Sequence, residues 1–135
     1  MNDITALSLI LRADYRRIIP QALNEMPTQA RKRIERGLSL WIDRGGVIGM
    51  KQLSRAIGMK GSACHLHLIG PLAHALALQL GVRITPTTPR FLFEFFATWN
   101  SKTREWKLRP EFMQELAAFD QAHFGGRKAH NARRP

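Results

Sequence analysis

The chain has 135 residues, 44% of them hydrophobic, and its formal net charge at pH 7 is +11. This length suits one domain that buries roughly two-thirds of its unfolded surface, and the strong positive charge favours a polyanionic partner, with nucleic acid ahead of an anionic membrane or an acidic protein. The single cysteine excludes an internal disulfide, and no window approaches the about 18 consecutive apolar residues of a membrane-spanning helix, so we expect a cytoplasmic protein with no membrane contact.

The positive charge is unevenly distributed along the chain. Residues 31–60 contain eight bases and two acids, whereas residues 1–30 contain three of each. In the neutral segment Asp3 can cap a first helix, which Pro20 is expected to end or kink. The apolar residues of this helix recur at helical spacing: Ile4, Leu7, Leu11 and Ile18. Residues 1–27 are predicted to form a helical extension that either pads the domain or pairs with a second copy in a homodimer.

A second helix is predicted from Thr28, as its N-cap, to the glycine pair at residues 45–46. Its apolar stripe consists of Ala30, Ile34, Leu38, Trp41 and Ile42. Most of its bases lie off this stripe, including Arg31 and Lys32. These cations either form a solvated face or contact the phosphates of a nucleic-acid backbone.

A short strand and a short helix follow. Residues 47–48 lie between glycines and are expected to add a small strand to a sheet supplied from elsewhere. Residues 51–57 form two helical turns, with Lys51 and Arg55 free to face outwards. Gly58 is expected to close this helix in the left-handed conformation, which lets the chain turn sharply.

The residues around this glycine resemble the helix-turn-helix pattern. The match is Leu53-Ser54-x-x-x-Gly58-Met59-Lys60-x-x-x-Cys64, with a small residue four before the corner glycine and a small buried residue six after it. The resemblance implies that Cys64 and Leu68 belong to the core. It places these residues on the surface offered to DNA: Lys60, Gly61, Ser62, His65, Leu66 and Ile69.

Two features depart from that family. His67 stands where an apolar residue is expected, and residues 61–70 contain none of the Arg, Lys, Asn or Gln side chains that make the strongest base contacts. Gly70 and Pro71 predict a break in the helix, because an interior proline removes a hydrogen bond and clashes with the preceding turn. A separate, buried helix is predicted at residues 71–80.

The next segment is predicted to be extended. Residues 82–85 indicate a short strand and residues 86–89 a rigid connector. Aromatic residues at alternate positions in residues 91–99 predict the clearest strand of the chain. A helix with Thr88 as its cap competes with this interpretation.

A hairpin is predicted after this strand. Residues 100–103 are turn formers, and the alternating residues that follow bring Trp106 opposite Trp99. A hairpin downstream of a helix-turn-helix resembles the wing of the winged-helix family. The resemblance implies that Lys102 and Arg104, at the tip, lie along the phosphate backbone or enter the minor groove.

The chain is predicted to end with a helix and a tail. Pro110 begins the helix, which packs on the sheet through Phe112, Leu116 and Phe119. Residues 125–135 have no apolar pattern and are predicted to form a disordered basic tail, whose cations include Arg127 and Lys128. Such a tail adds affinity for phosphates without specificity.

No catalytic site, metal site or cofactor is predicted. The candidate metal ligands are Cys64, His65, His67 and His74. No second cysteine or acidic residue lies nearby to complete four ligands. Ser62 has histidines near it in sequence, but residues 44–93 contain no acid that could orient one of them as a base.

The predicted fold is α+β, mainly α: a winged helix-turn-helix with an extra N-terminal helix and a β-hairpin wing, in one domain over residues 1–124. The predicted protein is a bacterial or mobile-element regulator of transcription or maintenance that binds duplex DNA, as a homodimer. The residues expected to contact DNA are Arg31, Lys32, Lys51, Arg55, Lys60, Ser62, His65, Lys102, Arg104, Arg127 and Lys128. Two alternatives stay open, namely a protein-interaction module of the same fold and a binder of single strands or RNA.

Overall fold

A computed structural model describes residues 14–82 and 96–120. Over these ranges the fold is α+β and mainly helical, with a three-stranded antiparallel sheet, which confirms the predicted class. The elements are α1 (Tyr15–Asn24), α2 (Thr28–Asp43), β1 (Val47–Gly49), α3 (Met50–Ala56), α4 (residues 63–79), β2 (Ala97–Asn100), β3 (Glu105–Leu108) and α5, described over residues 110–120.

Several predictions lie outside the described residues. The Asp3 cap falls in residues 1–13, the connector and most of the aromatic strand fall in residues 83–95, and the basic tail falls in residues 121–135.

The first helix, α1, continues through a proline. Pro20 lies inside α1 and does not end it, contrary to one of its two expected effects. The apolar residues on both sides of it are no more than 1% exposed: Ile18, Ile19, Ala22 and Leu23. Each large aliphatic side chain contributes about 1.5–3 kcal/mol when buried, which together outweighs the ~3 kcal/mol cost of an interior proline. These side chains pack in the chain's own core, with α4 alongside, so the described part of the extension pads the domain.

The second helix, α2, begins at Thr28 and has Pro27 as its N-cap, so the prediction of Thr28 as the cap is wrong. The carbonyl of Pro27 accepts the first helical hydrogen bond, from the N–H of Arg31 at 2.9 Å. Pro27 already has the extended backbone of a cap, with φ −55° and ψ 144°, and Thr28 is therefore the first residue inside the helix. The predicted stripe is buried at Ile34, Leu38, Trp41 and Ile42.

Hydrogen bonds fasten the end of α2 to the sheet. Gly45 and Gly46 both have positive φ, and the N–H of Gly46 donates to the carbonyl of Trp41 at 3.0 Å. The indole N–H of the buried Trp41 donates in turn to the carbonyl of Gly46 at 2.8 Å and to that of Trp106 at 3.2 Å. One side chain thus joins the helix, its terminal turn and β3.

The sheet has the strand order β1-β3-β2. In the central strand Trp106 lies between Ile48 of β1 and Trp99 of β2. The predicted small strand at residues 47–48 is therefore confirmed, and so is the hairpin that brings the two tryptophans together, with ring centroids 5.3 Å apart.

One continuous helical run, α4, replaces the two helices predicted around Gly70 and Pro71. His65–Ile69 is π-helical and leads directly into the α-helical part, Gly70–Gln79. The break does not occur because Pro71 directly follows the π-helical turn and is the second residue of the α-helical part, so its missing N–H interrupts no α-helical hydrogen bond. The N–H of Gly70 donates to the carbonyl of His65, five residues back. A side chain at Gly70 would stand 3.3 Å from that carbonyl, so glycine suits the widened turn.

The last helix, α5, closes the core. Phe112 and Leu116 are 1% exposed, as predicted, and Phe119 is half-buried. The ring of Phe112 lies 5.4 Å from that of Tyr15 and 5.2 Å from that of Phe96, between centroids. The buried apolar residues of the described ranges form one cluster.

Candidate nucleic-acid interface

The corner between α3 and α4 depends on a buried serine. Ser54 is fully buried, and its hydroxyl donates to the carbonyl of Gly61 at 2.8 Å and accepts from the N–H of Cys64 at 2.9 Å. Gly58 and Gly61 have φ of 79° and 61°. Ser54, the small residue four positions before the corner glycine, therefore links the turn to the start of α4 by two hydrogen bonds.

Cys64 also stabilises this corner, through a contact with the start of α3. Its thiol is buried, with Sγ 3.4 Å from the carbonyl of Met50 as a hydrogen-bond donor. Desolvation by burial raises the pKa of the Cys64 thiol, while its hydrogen bond with Ser54 opposes that shift. The thiol is a packing group in this setting, as predicted, and burial disfavours the reactive thiolate.

A cleft opens between the start of α3 and the end of the hairpin turn. The N–H of Met50 donates to the carbonyl of Arg104 at 3.0 Å, which holds the two segments together. The cleft has a volume of about 250 Å³. Its lining residues are Gly49, Met50, Lys51, Gln52, Thr103 and Arg104. Two cations and no acid line it, so its electrostatics suit a phosphate or another anion.

Arg104 has an unusual backbone for its residue type. It is the one non-glycine residue with positive φ, 57°, among the described residues. It lies at the end of the hairpin turn, since β3 starts at Glu105. The turn before it is fixed by Asn100, whose Oδ1 accepts from the N–H groups of Lys102 and Thr103 at 2.9 and 3.2 Å. A strained backbone that carries a cation is a feature found at functional sites.

Aromatic contacts attach the first turn of α4 to the hairpin. The indole N–H of Trp106 donates to Nδ1 of His65 at 3.2 Å, and the His65 ring lies edge-on to Trp99 at 4.9 Å between centroids. His65, expected on the surface offered to DNA, is half-buried in this cluster. Ile69, expected on the same surface, is 4% exposed. The π-turn explains the latter difference, because one additional residue per turn brings Leu68 and Ile69 inward together.

The other expected contact residues are more exposed. Lys51, Arg55, Lys60, Ser62 and Lys102 have exposed side chains, and so has Lys32 on α2. Arg31 is half-buried, and its Nε lies 3.4 Å from Glu35 in an ion pair along α2. Arg127 and Lys128 lie outside the described residues.

Sequence reasoning missed two residues of the cleft, Gln52 and Thr103. Their proximity results from the register of the sheet, which sets Gly49 opposite Glu105. No local pattern carries that information. The side-chain amide of Gln52 also accepts from the N–H of Gly49, at 3.4 Å, at the start of α3.

Over residues 14–82 and 96–120, no group of three or more His, Cys, Asp or Glu side chains could hold a metal ion. No helix in those ranges is long and apolar enough to cross a bilayer. Comparison with family models, with curated proteins and with solved structures finds no match to this chain.

Proposed function

We propose that this protein is a winged-helix DNA-binding protein that grips the phosphates of duplex DNA with α3, the corner after it and the hairpin. The observation that carries the proposal is the cleft in which Lys51 and Arg104, from distant parts of the chain, stand together without an acid. Further exposed cations stand on the same three segments: Arg55 on α3, Lys60 in the corner and Lys102 in the hairpin turn.

The topology supports the same proposal. A strand precedes α3 and pairs with the returning strand of the hairpin, and α4 packs against both tryptophans of that hairpin through His65. The hairpin is thus held next to the start of α4, as the wing of a winged helix is held next to its recognition helix. Phosphate contacts of this kind fix the position of a protein on the duplex, whereas base contacts supply specificity.

The test is the affinity for duplex DNA across a series of salt concentrations. With five phosphate contacts, the logarithm of the association constant should fall with the logarithm of salt concentration at a slope of about −4 to −5. Replacing Lys102 and Arg104 together by alanine should reduce that slope by about 2, since each neutralised phosphate contributes about 0.9. A flat salt response, or no binding to any duplex at low salt, would contradict the proposal.

A matched control separates the hairpin from the net charge. Arg16 and Arg17 are exposed on α1, outside the cleft. Replacing both by alanine removes two positive charges, as many as the hairpin variant loses. The control should keep the slope of the natural protein. An equal reduction of the slope in both variants would mean that binding depends on the net charge of the protein and not on the hairpin.

A second function, as a protein-interaction module, is favoured by one observation. Leu66 and Leu78 on α4 are 74% and 46% exposed, and residues 61–82 contain no charged side chain. Exposed apolar groups of this kind are found in protein interfaces. A partner that stays bound after nuclease treatment, together with no salt-dependent binding of DNA, would favour this function over the first.

A further inference from the structure

Leu66 has the most exposed large hydrophobic side chain among the described residues. It is 74% exposed, against 46% for Leu78 and 38% for Val47. Exposure of one leucine costs little by itself, but Leu66 lies in the first turns of α4, which is the recognition helix in the proposed function. It stands one residue after His65, whose ring packs on the hairpin.

The residues around Leu66 lack the side chains that make the strongest hydrogen bonds to base edges. Residues 61–70 contain no Arg, Lys, Asn or Gln. Ser62, four residues earlier, is exposed immediately before α4 begins, and residues four apart lie on the same side of a helix. The exposed side chains that precede Leu66 in the chain are thus the hydroxyl of Ser62 and the ammonium group of Lys60 in the corner.

The charges of the neighbouring segments indicate a polyanionic partner. Residues 44–93 contain no acid, and exposed cations line the cleft, at Lys51 and Arg104, and stand in the corner before α4, at Lys60. A polyanion that also offers an apolar group is complementary to such a surface. The major groove of duplex DNA does so at every thymine, because the C5 methyl group projects into the groove beside the hydrogen-bonding edge.

We propose that Leu66 contacts the C5 methyl groups of thymine in the major groove, so that the protein prefers duplex sites with thymine at the positions facing the start of α4. This inference rests on the proposed function, since it requires that the cleft and the hairpin hold duplex DNA. Leu66 is then a specificity residue, whereas Lys51, Lys102 and Arg104 bind the phosphate backbone and orient α4 on the duplex.

The experiment begins with a duplex selected from random DNA by the natural protein. Each thymine of that duplex is replaced singly by deoxyuridine, which removes the methyl group and keeps the base pair. At one or more positions affinity should fall about fourfold, the effect of one methyl-sized group removed from an apolar contact. The Leu66→Ala variant should bind the thymine duplex more weakly and should abolish the difference between thymine and deoxyuridine at those positions.

Leu78→Ala is the matched control, since it truncates the other exposed leucine of the same helix. It should keep the preference for thymine. Thermal unfolding of all three proteins checks that the folds are equivalent, as expected for exposed positions.

The outcomes distinguish the two proposals. Duplex binding with the expected salt slope, but with no position at which deoxyuridine costs more than about twofold, overturns the role of Leu66 and leaves the proposed function standing. An equal drop in affinity on deoxyuridine in Leu66→Ala and the natural protein overturns it as well. Failure to bind any duplex at low salt overturns both proposals, and capture of a protein partner through Leu66 would then assign the leucine to a protein interface.

Discussion

At the scale of single residues, Arg104 combines a poor backbone fit with a favourable charge. A left-handed backbone costs a residue with a Cβ roughly 1–2 kcal/mol, whereas glycine adopts it freely. Arg104 has φ 57° and an exposed side chain, and it lines the cleft with Lys51. A position at which glycine would be more stable carries an arginine, which is reasonable if the guanidinium is needed for binding.

The variant Arg104→Gly is therefore expected to change stability and binding in opposite directions. The free energy of unfolding should rise by about 1 kcal/mol, because the backbone strain is relieved, while affinity for duplex DNA falls because one phosphate is no longer neutralised. Denaturant unfolding and a salt series of binding measurements check the two effects.

Lys102→Gly provides the comparison. Lys102 is exposed in the same turn and does not have a positive φ, so glycine there should lower both stability and affinity. A fall in the stability of Arg104→Gly would show that the arginine side chain stabilises the turn by more than its backbone costs.

At the scale of elements, α3 and α4 form a unit whose corner is held by Ser54 and Cys64. Removal of the Ser54 hydroxyl takes a hydrogen-bond partner from the carbonyl of Gly61 and from the N–H of Cys64 in a buried place. Such a change costs about 1–3 kcal/mol. Ser54→Ala should therefore make opening of this corner easier by about that amount.

Cys64 reports that opening directly, because it is the single cysteine of the chain and is buried. A thiol reagent should react slowly with the natural protein and at least about fivefold faster with Ser54→Ala, since reaction requires local opening. Ser101→Ala, at an exposed serine of the hairpin turn, should react at the natural rate. Equal rates in all three proteins would mean that Ser54 does not hold the corner closed.

The sequence predicts the corner of this unit because the determinants of the corner are local. The spacing of Ser54, Gly58 and Cys64 specifies one turn, and the structure shows the hydrogen bonds that require it. The alternation around Trp99 and Trp106 predicts the hairpin for the same reason. The continuity of α4 could not be predicted, because the effect of Pro71 depends on whether the turn before it is π-helical.

The candidate interface is predictable only in part. Lys51 and Arg104 follow from exposed positions on a helix and in a turn, whereas their meeting in one cleft depends on the pairing between β1 and β3. The burial of His65 against two tryptophans is equally non-local. Sequence patterns specify which side chains are exposed on an element, and the packing between elements decides which of them meet.

At the scale of the whole molecule, the net charge of +11 includes cations on the described fold and cations near the C-terminus, outside the described residues. The cations of α3, the corner and the hairpin occupy fixed positions on the described fold, and the segment 125–135 adds four bases, Arg127, Lys128, Arg133 and Arg134. Fixed cations orient a protein on the duplex, whereas a basic tail of the kind that the sequence predicts for residues 125–135 increases affinity for any duplex. The two groups should differ in their effects on specificity.

Replacement of those four terminal bases by glutamine is expected to weaken binding at low salt and to make the salt slope less negative by about 0.9 for each phosphate that is no longer neutralised. The ratio of affinities for a selected duplex and a scrambled duplex should stay unchanged, because the terminal bases meet the same phosphate backbone on both. The Lys102→Ala/Arg104→Ala variant should lower this ratio as well as the slope, if the hairpin orients α4 on its site. Binding of each variant to both duplexes across the salt series measures the ratio and the slope. A fall in the ratio on removal of the terminal cations would show that they too contribute to specificity.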